Sequence, residues 1–548
     1  MSLARVPRAG LIVGALSLMA AAGSTAGHAA GQPNPCCNGQ PAYTSTNTDG
    51  TAGAGGTAVA YHAGGTVITT PSVTAAAPHP LLFRTGYGGW EPSLGVTNDG
   101  TIFYATRNSN VDPDPLVSTD SGKTWTAIPP TTPGGVHIHQ ASLDPYVYVD
   151  TATGRVFDTD ISPTVTCPPF SHTDDKGAHW STSVVCGSFD YQKVFGGPPP
   201  KAGPAPTGYP NVVYFCAING GEGTGTSSFN SCSKSLDGGT VFTPTGAPSY
   251  PVRAAPASSP QPGATPPLAI CDGAAPKGAV GPDGTVYVSR GWCDEPYLAI
   301  SHDEGATWTR IRVPGKLLPF DSFDGSWSNH AEVAVDANSN IYFLWIADDF
   351  HPYLTISRDG GTSWTTPQDI LPPGVTRTNL PAIAVGSPGG VAISMMGTTA
   401  SLTATADQTT WNGYMVISAD ALDADPTFYA ASVNDPATNY FWKDSAGMPC
   451  EPVRCGNIGD FLNVEVGPDG TPYAGFTDSC PAVPDKQCTA FTTTTPRGEA
   501  ILGRLVGGPS LRQNTPPAQV PEGHLVFVPL LLLLFVATRR VMAARRGH

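Results

Sequence analysis

Four acidic residues are candidates for chemistry, because each lies beside a short apolar run that would hold it in place. They are Glu91, Asp272, Glu332 and Asp460. Two carboxyl groups about 5 to 10 Å apart can act as general acid and as base or nucleophile in the hydrolysis of a glycoside. The alternative reading is that these residues are solvated or hydrogen-bonded groups at the ends of strands.

A second group of residues has the chemistry of a binding surface for a polar ligand. Its members are Trp90, Arg107, His139, Arg290, Trp292, His330, Arg377 and Asn379. An indole can stack on a sugar ring, and the other side chains can donate hydrogen bonds to hydroxyl or carboxylate groups. Tryptophan also fills gaps between packed sheets, so a structural role for Trp90 and Trp292 is the alternative.

Metal binding is a further reading of some polar residues. His137 and His139 fall on one side of a strand by alternation, and His330 could join them if the fold brings it close. The acidic loops at Asp112–Pro115 and at Asp348 and Asp349 offer oxygen ligands that suit calcium. A solvated loop explains the same residues, and the glycoside chemistry requires no cofactor.

One motif recurs along the chain with the pattern Ser-x-Asp-x-Gly-x-x-Trp. It reads STDSGKTW from Ser118, SHDEGATW from Ser301 and SRDGGTSW from Ser357, and altered copies begin at Thr173 and Ser235. The five aspartates are Asp120, Asp175, Asp237, Asp303 and Asp359, so successive copies lie 55 to 66 residues apart. A single active site does not need five dispersed copies, which favours a structural hairpin in which Ser and Asp bind the amides of the loop.

The repeat predicts the fold. Each copy is preceded by a tight turn and an alternating apolar run, so that one unit reads strand, turn, strand, loop, strand, motif, strand. Four short antiparallel strands per unit, repeated, are typical of an all-β propeller. We expect seven blades over residues 86–506, with six as the alternative, and an N-terminal strand at Gly64–Thr70 that closes the ring. Closure would make Glu91 and Asp460 neighbours, since they belong to the first and last blades.

The motif resembles the Asp-box (BNR) repeats of the sialidase-like superfamily of β-propellers. The resemblance implies an exported propeller that recognises glycans and leaves open an exo-glycosidase activity; the alternative is a non-catalytic module that binds protein or glycan ligands. Sialidases of this family would hold the substrate carboxylate with three arginines, the first in a Tyr/Phe-Arg-Ile-Pro motif. At the aligned position this chain has Trp90 and Glu91 before Pro92. The sialidase arginine motif is therefore not found, and no catalytic residue is carried over.

Composition narrows the remaining classes of function. The chain of 548 residues contains 63 Gly and 56 Pro, which indicates many turns rather than long helices. A net charge of -15 with 28 Lys and Arg argues against nucleic acid as a partner. Twelve cysteines in an exported chain favour disulfides over zinc binding. The pairs predicted from spacing are Cys167–Cys186, Cys216–Cys232, Cys271–Cys293, Cys450–Cys455 and Cys480–Cys488, whereas Cys36 and Cys37 have no assigned partner.

The two ends of the sequence predict export to the cell surface. Residues 1–29 read as a signal peptide, and residues 524–544 as a C-terminal transmembrane anchor or sorting tail followed by a basic cytoplasmic tail at 545–548. Residues 30–85 are predicted to be a low-complexity spacer and residues 507–523 a linker. The predicted domain order therefore places the propeller, 86–506, on the outer side of a membrane.

Overall fold

The computed structural model describes residues 58–105, 114–132, 138, 144–161, 167–187, 190–201, 203–219, 229–251, 277–292, 295–319, 330–405, 408–437, 439–444, 459–479 and 498–513. The predicted signal peptide, anchor and basic tail lie outside these residues, as do Arg107, His137, His139 and Asp272. The same holds for the predicted pairs Cys271–Cys293, Cys450–Cys455 and Cys480–Cys488, and for Cys36 and Cys37. In the described part of the chain, no helix is long and apolar enough to cross a membrane.

Strands dominate the described residues, and the one described helix is short. The N-terminal elements are β1 (Val59–His62), β2 (Thr66–Val67), α1 (Pro71–Ala75) and β3 (His79–Gly88). The first sheet contains β4 (Ser93–Val96), β5 (Ile102–Ala105), β6 (Leu116–Ser118) and β7 (Thr126–Ala127). The second contains β8 (Asp144–Asp150), β9 (Arg155–Ile161), β10 (Pro169–Thr173) and β11 (Ser181–Val184). The third contains β12 (Asp190–Gly197), β13 (Val212–Asn219), β14 (Phe229–Ser235) and β15 (Thr243–Pro244).

The chain continues through four more sheets. The fourth contains β16 (Gly278–Val280), β17 (Val286–Trp292), β18 (Glu295–Ser301) and β19 (Thr309–Arg312). The fifth contains β20 (Ala331–Val335), β21 (Ile341–Ile346), β22 (Pro352–Ser357) and β23 (Gln368–Asp369). The sixth is built on β24 (Arg377–Val385), β25 (Val391–Thr398), β26 (Thr410–Ser418) and β27 (Phe428–Ser432), with β28 (Trp442–Lys443) and the N-terminal β1 and β2 added. The seventh contains β29 (Asn463–Val466), β30 (Pro472–Asp478), β31 (Glu499–Val506) and β3.

These sheets are arranged as a β-propeller. The innermost strands β4, β8, β12, β16, β20, β24 and β29 contact one another in that order, and β29 contacts β4, so the ring is closed. Six of the seven sheets are four-stranded antiparallel blades. The remaining one, which is the sixth in chain order, has seven strands. The predicted all-β propeller of four-stranded antiparallel blades is therefore confirmed.

The strand that closes the ring is different from the predicted one. Gly64–Thr70 was expected to complete the last blade, but this role belongs to β3, whose Leu82 and Phe83 pair with residues of β31 and are buried. The two residues of β2 lie on the outer edge of the sixth sheet instead, and both are exposed. From Ala58 onward, part of the segment assigned to a spacer thus forms ordered strands, because its short apolar runs find partners in the last two sheets.

The five motif copies form hairpins at the ends of their third strands. In each copy the hydroxyl of the first residue donates to the aspartate and accepts the N–H of the glycine, over 2.7–2.9 Å. Hydrogen bonds from the Ser363 hydroxyl and backbone N–H hold the pKa of Asp359 below its usual value. Trp125, Trp308 and Trp364 are half-buried and pack against the cores between neighbouring sheets.

Two predicted disulfides are present. Cys167 is bonded to Cys186, and Cys216 is bonded to Cys232. The second pair joins residues directly opposite each other on β13 and β14, so it lies across a blade of the propeller. Both predictions from spacing are confirmed, because each pair flanks a connection that folds back on itself.

Candidate active site at the mouth of the propeller

The candidate site lies on the face where the innermost strands begin, which we call the mouth. The opposite face, the base, carries the tight turns after the innermost strands and the five motif hairpins. Because every innermost strand begins at the mouth, residues far apart in the sequence converge there around the axis. The motif aspartates are therefore separated from this site by the depth of the blades.

Three carboxyl groups from three sheets meet at the mouth, and we call Glu91, Asp144 and Asp460 the carboxyl cluster. The backbone N–H of Asp460 donates to Glu91 Oε1 over 3.0 Å. The Glu91 and Asp144 carboxyls are within hydrogen-bonding reach of each other. Glu91 is 2% exposed and Asp460 5% exposed. Closure of the ring thus brings Glu91 of the first sheet against Asp460 of the seventh, and Asp144 of the second sheet completes the group.

The environment of Glu91 favours its protonated form. Burial raises the pKa of Glu91 well above its usual value, and the negative charges of Asp144 and Asp460 raise it further. A hydrogen bond from Trp90 acts in the opposite direction and does not outweigh them. A buried carboxyl group whose pKa is raised by neighbouring carboxyl groups is an arrangement suited to general acid catalysis.

The backbone around Glu91 is strained. Glu91 has φ 47°, in the left-handed region that side chains other than glycine rarely adopt. Gly459 has φ 98°, and a Cβ added to it would collide with Glu91 Cγ and lie 2.9 Å from Trp90 Nε1. The conformation of Glu91 costs about 1–3 kcal/mol and persists only where the surrounding structure imposes it, which occurs most often at functional sites.

Tyr191 connects the carboxyl cluster to the far side of the mouth. Its hydroxyl donates to the carbonyl oxygen of Asp460 over 2.7 Å and lies 3.3 Å from Nδ1 of His330. His330, one of the predicted binding residues, is therefore linked to the cluster through Tyr191. Both side chains are buried.

Glu332, a predicted catalytic residue, lies deeper on the axis and is not part of the cluster. Burial raises its pKa to about 7, and the positive charges of Lys277 and Lys193 oppose this increase. The Lys193 ammonium lies 3.2 Å from the centroid of the Phe461 ring, while Lys277 binds the Glu465 carboxylate over 2.8 Å. Glu332 therefore interacts with two lysines, each of which has a second partner of its own.

The other predicted binding residues that are described lie in the walls of the mouth. Trp292 is 7% exposed and packs against Tyr250 and Tyr297, with ring centroids 5.6 and 5.2 Å apart. Arg290 is fully buried, 5.6 Å from the Tyr250 ring. Asn379 is also buried and accepts a hydrogen bond from the Leu380 N–H over 2.8 Å. Arg377 is the first residue of β24.

Sequence reasoning missed Asp144 and Tyr191. Asp144 has the same signal as Glu91, because each is an acidic residue placed directly before a proline at the start of an innermost strand. Tyr191 has no such signal. It owes its position to a bulge in β12, where the register shifts between Asp190 and Lys193, and an inserted residue leaves no mark in the alternation of the sequence.

Two of the acidic residues considered for calcium, Asp114 and Asp349, have other neighbours, whereas Asp112 lies outside the described residues. Asp114 is buried, and burial together with the charges of Asp160 and Asp158 raises its pKa. Asp349 accepts hydrogen bonds from Lys316 and, over 3.1 Å, from Tyr353. Within the ranges that the structure describes, no three His, Cys, Asp or Glu residues form a group that could hold a metal ion.

A cavity of about 220 Å³ lies at the base end of the axis. Its walls include residues from each of the seven innermost strands, together with Arg512 from the segment after β31. Arg512 donates to the carbonyl oxygens of Gly467 and Val466 over 2.9 and 3.2 Å. The beginning of the predicted linker is therefore packed against the base rather than extended away from it.

Neither a family model nor a curated protein matches the chain. Among solved structures, it is similar to a protein of unknown function from Dyadobacter fermentans, with 13% identity, a TM-score of 0.34 and coverage of 78% of this chain and 97% of that one. A leech intramolecular trans-sialidase complexed with 2,7-anhydro-Neu5Ac is 12% identical, with a TM-score of 0.34 over 77% of this chain and 68% of that one. The GH93 α-L-arabinofuranosidase of Fusarium graminearum in complex with arabinobiose is 12% identical, with a TM-score of 0.32 over 63% and 92% of the two chains. The assignment of function rests on the site itself.

Proposed function

We propose that this protein is a glycan-directed propeller whose carboxyl cluster hydrolyses glycosidic bonds. The observation that carries the proposal is the convergence of Glu91, Asp144 and Asp460 from three sheets at the mouth. The glycan as ligand class follows from the Asp-box resemblance of the sequence. Export to an oxidising compartment is part of the proposal and is supported by the two disulfides.

In the proposed reaction, protonated Glu91 donates its proton to the glycosidic oxygen as the bond to the anomeric carbon breaks. A carboxylate of the cluster, Asp144 or Asp460, stabilises the positive charge that develops on the sugar ring. This carboxylate either accepts a proton from the water that attacks the anomeric carbon, or attacks this carbon itself to form an ester that water then hydrolyses, with Glu91 accepting the proton of the water. Glu91 would be protonated again after each turnover, because burial and the neighbouring carboxyl groups favour its protonated form. No metal ion is required for these steps.

The test is a screen of the purified chain against chromogenic glycosides, including a sialoside, with Glu91→Gln as the diagnostic variant. We expect kcat/KM to fall by about 10²- to 10⁴-fold for unactivated glycosides, as is usual on removal of a general acid. The loss should be smaller for glycosides with good leaving groups, which need less protonation. Glu295→Gln, a half-buried acid at the start of β18, is the control. Full activity in Glu91→Gln would exclude this mechanism.

A second candidate function is a binding module without catalysis. It is favoured by the low exposure of the cluster, since Glu91 is 2% exposed and its Oε1 already accepts a hydrogen bond from the Asp460 N–H. In that case no glycoside would be hydrolysed, the chain would still bind glycans on an array, and Glu91→Gln would alter stability rather than turnover. The two functions therefore differ in a single measurement on the unmodified chain.

A further inference from the structure

The bulge in β12 places two adjacent residues against the main chain of Asp460 and Asp144, the two acidic neighbours of Glu91. Tyr191 and Gln192 lie within the register shift between Asp190 and Lys193. The Tyr191 hydroxyl donates to the carbonyl oxygen of Asp460 over 2.7 Å, and the Gln192 amide donates to the carbonyl oxygen of Asp144. The third sheet is therefore hydrogen-bonded to the main chain at Asp460 in the seventh blade and at Asp144 in the second. Both of these residues are members of the carboxyl cluster.

The bulge adopts this position at a cost. Tyr191 has φ 54°, in the left-handed region that is sterically unfavourable for a bulky residue. Tyr191 and Gln192 are 2% and 0% exposed, so the surrounding side chains keep them in place. A β-strand without the inserted residue would point the Tyr191 ring to the other face of the sheet, because side chains alternate along a strand.

We propose that Tyr191 and Gln192 are positioning residues, which fix the main chain at Asp460 and Asp144 and thereby set how closely these carboxyl groups approach Glu91. Neither residue needs to contact a substrate for this role. The inference rests on the proposed function only in treating the cluster as the working site. It concerns the spacing of three carboxyl groups, and the effect of this spacing on the titration of Glu91 can be measured without turnover.

Tyr191→Phe removes the hydroxyl and keeps the ring, so it tests the hydrogen bond to Asp460 alone. Without this bond the Asp460 main chain, whose N–H donates to Glu91 Oε1, is free to move relative to Glu91. Both this hydrogen bond and the like-charge contribution of Asp460 then change, and we expect the proton affinity of Glu91 to change about tenfold, which is one pKa unit. The measurement is an infrared titration of the protonated carboxyl band, assigned to Glu91 by its loss in Glu91→Gln.

Tyr250→Phe is the matched control. Tyr250 is also fully buried, and its hydroxyl donates to the carbonyl oxygens of Val288 and Tyr297 over 2.8 and 3.1 Å, away from the carboxyl cluster. Both variants should lose similar thermal stability, but only Tyr191→Phe should change the Glu91 titration. An unchanged Glu91 titration in folded Tyr191→Phe would overturn the proposal.

Gln192→Met provides a second, independent variant, since it removes the bond to Asp144 and keeps a side chain of similar size. The proposal expects a downward shift of the Glu91 pKa in this variant, because the charge and hydrogen bond of Asp144 both raise that pKa. The absence of a shift in Gln192→Met contradicts the proposal even if Tyr191→Phe does not fold. If the chain hydrolyses no glycoside, the infrared titration still decides between positioning and mere packing. If it does, the limb of the kcat/KM profile that reports Glu91 should move with the titration.

Discussion

The serine or threonine that opens each motif hairpin is buried, and its hydroxyl takes part in two hydrogen bonds. Ser301 is 1% exposed; its hydroxyl donates to Asp303 over 2.8 Å and accepts from the Gly305 N–H over 2.8 Å. We expect Ser301→Ala to lower the free energy of unfolding by about 1–3 kcal/mol, because it leaves a buried N–H without its partner. Chemical denaturation of the variant measures this, with the exposed Ser401→Ala as control. Equal stability of the two variants would contradict the structural role of the motif.

A second prediction at the residue scale concerns Glu332 and pH. Its pKa is raised from 4.5 to about 7 in the folded chain, chiefly by burial, with Lys277 and Lys193 opposing. Between these two values the folded state holds a proton that the unfolded state has released, so stability decreases as pH rises through this window. The loss attributable to Glu332 is on the order of 3 kcal/mol. Glu332→Gln should flatten the dependence of unfolding free energy on pH from 4.5 to 7, whereas Glu295→Gln should leave it as it is in the unmodified chain.

Single residues also show how far sequence reasoning reaches. The motif serines and aspartates could be assigned a local role, because all their partners lie within a few positions in the sequence. Glu91 and Asp460 could be paired once a closed ring was assumed. Tyr191 could not be predicted, since its contacts with Asp460 and His330 join residues 269 and 139 positions away. Long-range contacts made by a bulge depend on the finished sheet and not on the local pattern.

At the scale of elements, buried salt bridges join β3 to β30 and β31 within the seventh sheet. Arg84 binds Glu499 and Asp478, and these two carboxylates have side chains that are 1% and 0% exposed. We expect Arg84→Ala to cost about 3–5 kcal/mol, because it leaves two buried charges without their cation. The pair of Arg312 and Glu295, whose side chains are 40% and 32% exposed, offers a control, since removal of Arg312 should cost about 0–1 kcal/mol. Thermal unfolding of Arg84→Ala and Arg312→Ala should therefore differ clearly, and equal losses would mean that Arg84 does not secure β3.

The same element explains an error of the sequence-based prediction. Gly64–Thr70 begins with a glycine pair and continues with five β-branched residues, which is the pattern of a strand after a turn. The strand that closes the ring, however, must match the length of β31 and bury large side chains on one face. β3 does so over His79–Gly88 with Leu82 and Phe83, although its sequence contains proline and three small residues. Pairing length and burial, rather than local pattern, selected between the two segments.

The whole molecule depends on a join between its two ends. β3 comes before every other strand of its sheet in the sequence by more than 370 residues, yet it is the outer partner of β31, the last strand among the described residues. A ring closed in this way keeps its sheets together because each blade packs only on its neighbours, so loss of one outer strand weakens the blade next to the first sheet. Asp460 lies just before β29 of that blade, and Glu91 lies just before β4 of the first sheet, so the carboxyl cluster is located where the ring closes.

We therefore expect a chain that begins at Gly89 to lose cooperative unfolding and to be cleaved by protease within the seventh sheet. A synthetic peptide of His79–Gly88 added in trans should restore protection, because an extended peptide can pair with the exposed edge of β31. A peptide with Leu82 and Phe83 both replaced by Ser has the same backbone hydrogen bonds but not the buried side chains, and it should fail. Limited proteolysis of the shortened chain with each peptide measures this directly. Equal protection by the two peptides would show that side-chain burial does not hold the ring closed.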